Sequence, residues 1–190
     1  MRKTLFLIAV WFLGTCALSL AASQKAIDTD KSRMTVRVYK AGVFSAFGHN
    51  HEIAAPIAAG SFDEEKPAVE LVVDARQLRA LDKDVSDKDR AEIQETMLGP
   101  RVLDSQKFPE IVFRSSHAER LGDGKWAIEG GLTLHGQTQS VRVQVEGQGG
   151  RYRGWAQLKQ KDFGITPVAV AGGTVKVKNE VRVEFDIRGK

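Results

Sequence analysis

The chain has almost no cysteine. Its one thiol, Cys16, lies inside an apolar N-terminal stretch, so once that stretch is removed the body has none. A body without thiols has no disulfide staples, no thiolate metal site and no cysteine nucleophile. Aromatic residues are also few, with three Trp, two Tyr and nine Phe. They form no basic–aromatic stripe of the kind that grips single-stranded nucleic acid. There is no P-loop, no glycine-rich dinucleotide turn after a strand, no GxSxG and no HExxH. The commonest motif-bearing nucleotide, hydrolase and metalloprotease functions are therefore unsupported. Neither sign of charge dominates. Arg2 and Lys3 supply half of the formal net charge of +4, and the remainder is too small to indicate a nucleic-acid or membrane-surface partner. With 42% hydrophobic and 27% charged residues, the composition is that of a globular domain and not of a disordered chain.

Residues 1–22 read MRKTLFLIAVWFLGTCALSLAA. Two cations precede the wholly apolar run Leu5–Leu13, and the small residues Ser19, Ala21, Ala22 and Ser23 follow. This is the order of a cleaved secretory signal peptide. A retained membrane anchor and a lipid-modified Cys16 are the competing readings. The small residues after the run favour cleavage, and Thr15 before Cys16 fits lipidation poorly. The expectation is a signal peptide over 1–22 and one domain over 23–190, with no membrane span left after cleavage. No repeat, low-complexity segment or linker marks a second domain.

From Ser32 onward the dominant period is two. Met34, Val36 and Val38 alternate with Thr35, Arg37 and Tyr39; Val141, Val143 and Val145 alternate with Arg142, Gln144 and Glu146; Val181, Val183, Phe185 and Ile187 alternate with Arg182, Glu184, Asp186 and Arg188. Strands with one apolar and one wet face follow, and half-solvated strands favour antiparallel pairing. Asp123-Gly124, His135-Gly136 and Gly149-Gly150 sit at hairpin spacing, with positive φ expected at both positions of the Asp-Gly turn. Asn179 marks a bulge or a turn in the last run. The one helical stretch is Asp87–Leu98, with Ser86 as its N-cap, Ile93 and Met97 on one face, and Gly99-Pro100 as its stop. The fold class expected is mainly all-β, an antiparallel barrel or sandwich of about eight strands with one short helical excursion.

The four histidines are His49, His51, His117 and His135. In an extended strand His49 and His51 share a side, and Ile53 and Ala55 continue that parity. Two imidazoles on one strand could chelate a metal, which would support a metal-dependent enzyme. They could equally orient a ligand head group by hydrogen bonds, or be ordinary rim residues. His135 reads as a turn residue. The charged clusters Asp63-Glu64-Glu65-Lys66 and Asp82-Lys83-Asp84 read as solvated loops, and nothing in the spacing of Asp74 and Asp104 supports a carboxylate pair.

Four segments in order, KAGVFSAFGHNH (40–51), LDSQKFPEIVFRSS (103–116), GGLTLHGQTQSV (130–141) and QKDFGI (160–165), resemble the YceI-like family of polyisoprenoid-binding proteins. The resemblance implies a lipocalin-like antiparallel β-barrel holding a long apolar chain in a central tunnel, in the bacterial periplasm. It implies no catalytic residue and no cofactor. The doubled histidine and the loop Thr166–Gly173 depart from the family pattern.

A closed sheet of about eight strands can hold one small ligand. Strand parity makes Val36, Val38, Leu71, Val73, Phe113, Trp126, Ile128, Leu132, Leu134, Val183 and Phe185 the tunnel candidates, with about half of them expected to be plain core. Phe44 and Phe47 would form a rim or lid, His49 and His51 would meet the head group, and the helix with Ile93 and Met97 would plug one end. The expected function is non-catalytic binding of a polyisoprenoid, an isoprenoid quinone or a related lipid, with no nucleic-acid partner and a homodimer left open. The alternatives are a metal-dependent enzyme using His49 and His51, and a ligand-free stress-response interaction module with a filled core.

Overall fold

Wherever the sequence alternates, the backbone extends. The computed structural model describes residues 24–41, 50–65, 67–170 and 175–190. They form β1 (Gln24–Ala26), β2 (Arg33–Ala41), β3 (His51–Ala54), β4 (Ile57–Asp63), β5 (Ala68–Asp74), β6 (Arg79–Ala80), α1 (Asp87–Leu98), β7 (Glu110–Gly122), β8 (Lys125–Leu134), β9 (Gln137–Gln148), β10 (Arg151–Lys159), β11 (Ala169–Val170) and β12 (Val175–Arg188). The sheet has twelve strands in the order β1-β4-β5-β7-β8-β9-β10-β12-β2-β3-β6, with β11 beside β12.

The strand count exceeds the expected eight because one strand is split and three short strands, β1, β6 and β11, are added. Ala55 and Pro56 interrupt one extended run between β3 and β4, because proline has no N–H to give to a ladder. β3 pairs with β2, and β4 pairs with β5. Taken as one bent strand, β3 and β4 close a ring of eight with β2, β5, β7, β8, β9, β10 and β12. Where β4 parts from β2, the N-terminal segment fills the gap. Ile27 N–H donates to Gly60 O at 2.9 Å, Asp28 N–H to Arg188 O at 2.7 Å, and Lys190 N–H to Ala26 O at 2.9 Å. The segments 24–28 and 188–190 thereby stitch the same seam.

The turns account for the register. His135 and Gly136 both take positive φ (51° and 73°), as do Gly149 and Gly150 (61° and 81°), the signature of tight hairpins whose twist matches the strands. Asp123-Gly124 differs from expectation: only Gly124 has positive φ (64°), and the β7–β8 register shifts between Arg120 and Gly122. A bulge absorbs the extra residue there. Asn179 lies within the shift between Val177 and Val181, and its Oδ1 accepts from Lys161 N at 3.0 Å, so it marks a bulge.

Helix α1 starts and stops as its sequence signals require. Ser86 Oγ accepts from Asp89 N at 3.1 Å, and Gly99 ends it. The helix is clipped to β6 by Gln94, whose Nε2 donates to Leu78 O (2.7 Å) while its Oε1 accepts from Ala80 N (2.8 Å). Met97 is buried beneath it.

Two phenyl rings lie across glycines on neighbouring strands. A Cβ at Gly130 would strike the Arg114 carbonyl oxygen and the Phe113 ring, and one at Gly154 would strike the Gln144 carbonyl oxygen and the Phe185 ring. Glycine here makes room for an inward aromatic. Gly154→Ala is expected to lower stability by about 1–3 kcal/mol, the usual cost of overpacking, seen as a lower urea midpoint with an unchanged slope.

Candidate functional site

The inward parity of the ring encloses a cavity of about 290 Å³, close to the smallest volume typical of ligand pockets. Every described residue lining it has an apolar or aromatic side chain except Asp63, Glu64 and Gln160. Val36 and Val38 reach it from β2, Leu71 and Val73 from β5, and Phe113 from β7. Trp126, Ile128, Leu132 and Leu134 reach it from β8, and Val183 and Phe185 from β12. All eleven parity-derived candidates thus line one cavity, where about half were expected to be ordinary core. Phe44, Phe47 and His49 lie outside the described residues.

The two ends of the cavity differ chemically. Around α1 the lining residues Leu78, Met97, Leu103, Leu158 and Ile165 are buried. Met97 contributes from the helix itself, so α1 covers this end as its sequence suggested. Gln160, also at this end, gives its Nε2–H to Lys178 O at 2.8 Å. At the far end the lining includes the exposed Pro67 and Ala68 of the β4–β5 turn, the carboxylates of Asp63 and Glu64, the Tyr152 phenol and the Trp126 indole.

The cluster expected to be a solvated loop is built into this far end. Asp63 is buried at 8% exposure, and its Oδ1 accepts from Glu65 N at 2.8 Å. Glu64 Oε1 accepts from Tyr152 OH at 2.6 Å and from Gly150 N at 3.0 Å, while its Oε2 pairs with Lys25 Nζ at 2.5 Å. Tyr152 packs edge-on against Phe62, with centroids 5.3 Å apart. Burial, and then the Glu64 carboxylate, push the Tyr152 phenol up to about 12. The Lys25 ammonium and then the Tyr152 hydroxyl hold the Glu64 carboxyl below its ordinary value. Neutral phenol and ionised carboxylate therefore coexist across the physiological range. No local pattern in the sequence signals this group, because its partners are 39 and 88 positions away.

His51 has a different environment from the one expected. It does not line the cavity. Its Nδ1–H donates to Asp82 Oδ2 at 2.7 Å, and Asp82 Oδ1 accepts from Glu52 N at 2.7 Å. The Asp82 side chain is only 3% exposed, so the second cluster taken for a solvated loop also contains a buried anchor. Arg90 of α1 donates to the Asp82 carbonyl at 2.8 Å, which joins β3, the β6–α1 loop and the helix. His135 Nδ1–H donates to Phe163 O at 3.1 Å and its ring meets Phe108 at 4.9 Å, consistent with a turn residue. His117 is exposed beside the register shift in β7. Among the described residues no three His, Cys, Asp or Glu side chains are arranged to hold a metal ion.

A YceI-like domain model matches residues 26–189. The chain belongs to the YceI-like family. YceI-like proteins are β-barrels that bind hydrophobic ligands. UPF0312 proteins of Vibrio cholerae serotype O1 and Shewanella oneidensis are 28% and 29% identical to it, over 97% and 87% of this chain and 98% and 88% of theirs. The crystal structure of Burkholderia cenocepacia BcnA superposes with a TM-score of 0.59 at 22% identity, covering 85% of this chain and 98% of that one. A Campylobacter jejuni YCEI protein superposes at 0.53 and 12% identity, over 73% and 81%. These structures share the fold. Among the described residues no helix is long and apolar enough to cross a membrane.

Outside the YceI-like barrel, the wet parity carries ion pairs, three of the following four between neighbouring strands and one within β12. Asp186 lies between Arg151 (2.6 Å) and Arg153 (2.9 Å), and Glu184 between Arg37 (2.8 Å) and Arg182 (2.9 Å). Such exposed pairs add little individually, but they share a direction: the Asp186 and Glu184 carboxyls, like that of Glu64, are held below their ordinary values. A carboxyl depressed in the folded state stabilises it above the unfolded pKa, about 4, and loses that contribution as pH falls through the folded value. The urea midpoint is expected to hold steady from about pH 8 to 5 and to fall below about pH 4, less steeply in Glu64→Gln. A separate outcome concerns the buried anchor. Asp82→Ala strands the Glu52 N–H and the His51 ring, and is expected to cost about 1–3 kcal/mol, measured by urea unfolding at pH 7.

Proposed function

We propose that this YceI-like protein is an exported, non-catalytic carrier that holds a long apolar chain, a polyisoprenoid, an isoprenoid quinone or a related lipid, along the axis of its barrel. The observation that carries the reading is the one continuous cavity whose lining is apolar except at its ends. Burying a methylene stabilises a complex by about 0.8 kcal/mol. A chain of a few isoprene units therefore gains enough, after association and ordering costs, without any charged contact. Val36, Val38, Leu71, Val73, Phe113, Ile128, Leu132, Leu134, Val183 and Phe185 would contact the chain, and Trp126 would lie near its more exposed end. The order of charge, apolar run and small residues over 1–22 supports removal of that segment at a periplasmic destination, and periplasmic location is usual for YceI-like proteins.

The test uses the protein starting at Ser23, in which Trp126 and Trp155 are the remaining tryptophans. With Trp155→Phe, Trp126 reports alone, and its emission is expected to shift saturably on titration with farnesol. Val36→Phe, which fills the tunnel without changing its polarity, is expected to weaken that binding at least tenfold while thermal unfolding stays cooperative. A silent Trp126, together with an organic extract of the purified protein free of lipid, would rule out the carrier reading.

A further inference from the structure

If the barrel holds an apolar chain as proposed, the chain still has an end group, and the cavity offers few places for one. Gln160 gives one amide N–H to Lys178 O at the α1 end, and His51 is turned to Asp82 off the lining. The remaining polar atoms that line the cavity are gathered at the end formed by the β4–β5 turn and the starts of β8 and β10. There the Tyr152 hydroxyl gives its one proton to Glu64 and keeps an oxygen lone pair. Glu64 Oε1 already accepts two hydrogen bonds and Oε2 one, which leaves acceptor capacity on Oε2. Asp63 adds a second carboxylate to the lining. Among the described residues the donors at this end are few: the Lys25 ammonium, engaged by Glu64, and the Trp126 indole N–H.

We propose that the ligand lies with its tail toward α1 and its polar terminus at Glu64 and Tyr152, and that this end selects a neutral hydrogen-bond donor, a hydroxyl or a hydroquinone, and rejects phosphate-bearing or carboxylate-bearing ends. The reason is charge as well as geometry. A hydroxyl can give its proton to an acceptor-rich end. A phosphorylated end would place further negative charge against the Glu64 carboxylate, in a site where partial burial weakens solvent screening. The held ionisation of Glu64 keeps that repulsion in place at neutral pH.

The experiment compares three probes with one C15 chain, farnesene, farnesol and farnesyl diphosphate, each titrated by Trp126 emission in the Trp155→Phe protein starting at Ser23. Farnesol is expected to bind at least tenfold tighter than the diphosphate. Glu64→Gln keeps the side chain's shape but removes its charge and releases Lys25. It is expected to raise diphosphate affinity several-fold with farnesene binding unchanged, which a merely structural role for Glu64 would not do. Tyr152→Phe keeps the ring against Phe62 and is expected to weaken farnesol alone. Diphosphate binding equal to or tighter than farnesol, or selectivity unmoved by Glu64→Gln, with farnesene still bound, would overturn this assignment and leave the carrier reading intact. Failure of all three probes to bind, farnesene included, would overturn both.

Discussion

The structure depends on closure of the sheet. An antiparallel ring of eight gives every strand exactly one inward parity, so a single set of residues must be both core and lining. What they leave empty follows from their size. The inward positions of β2, β9 and β12 are largely valine: Val36 and Val38, Val141, Val143 and Val145, Val181 and Val183. Valine suits a strand because its branched Cβ is stiff there, but its side chain is too short to reach the barrel axis. The strand propensity that builds the wall therefore also leaves a void inside it. Larger residues are placed where the void ends, with Phe62, Tyr152 and Trp126 at one end and Met97, Leu103 and Leu158 at the other.

Closure also explains why both termini of the domain matter. A ring interrupted at Pro56 would expose an open edge between β4 and β12, and open edges invite pairing with other chains. The segment Gln24–Asp28 removes that edge, and Ile27, at 2% exposure, fixes it with an apolar anchor against Ile57, Phe62 and Ile187. The same seam carries Lys25 to Glu64. The polar end of the cavity and the mechanical closure of the barrel thus share one stretch of chain.

What the sequence made legible was whatever is local or periodic. Parity located the lining residues from Val36 to Phe185, and capping signals located the bounds of α1, because a strand's faces and a helix's ends are set by neighbours within a few positions. Pro56 was present in the sequence as a strand-breaker, and the split between β3 and β4 is its consequence. What stayed hidden was built from distant partners. Glu64 and Asp82 each sit in a mixed-charge run that looks like any solvated loop. Each becomes a buried anchor only because the fold brings Tyr152 to one and His51 to the other. Of the His49–His51 pattern only His51 falls among the described residues, and there a distant partner, Asp82, holds its ring.

The arrangement of polar groups follows from the same physics that empties the barrel. A carboxylate inside an apolar cavity is tolerated only where other groups satisfy it, and β-strand interiors offer no free donors, because their N–H groups belong to the ladder. The donors that satisfy Glu64 come from the end of the barrel: the Gly150 amide in the β9–β10 turn, the Lys25 ammonium on the closing strand, and the Tyr152 hydroxyl near the start of β10. A polar anchor for a ligand in such a barrel must therefore lie at an end and not midway along the wall. Here the Glu64–Tyr152 group lies at the end opposite the helix, with an apolar lining between the two.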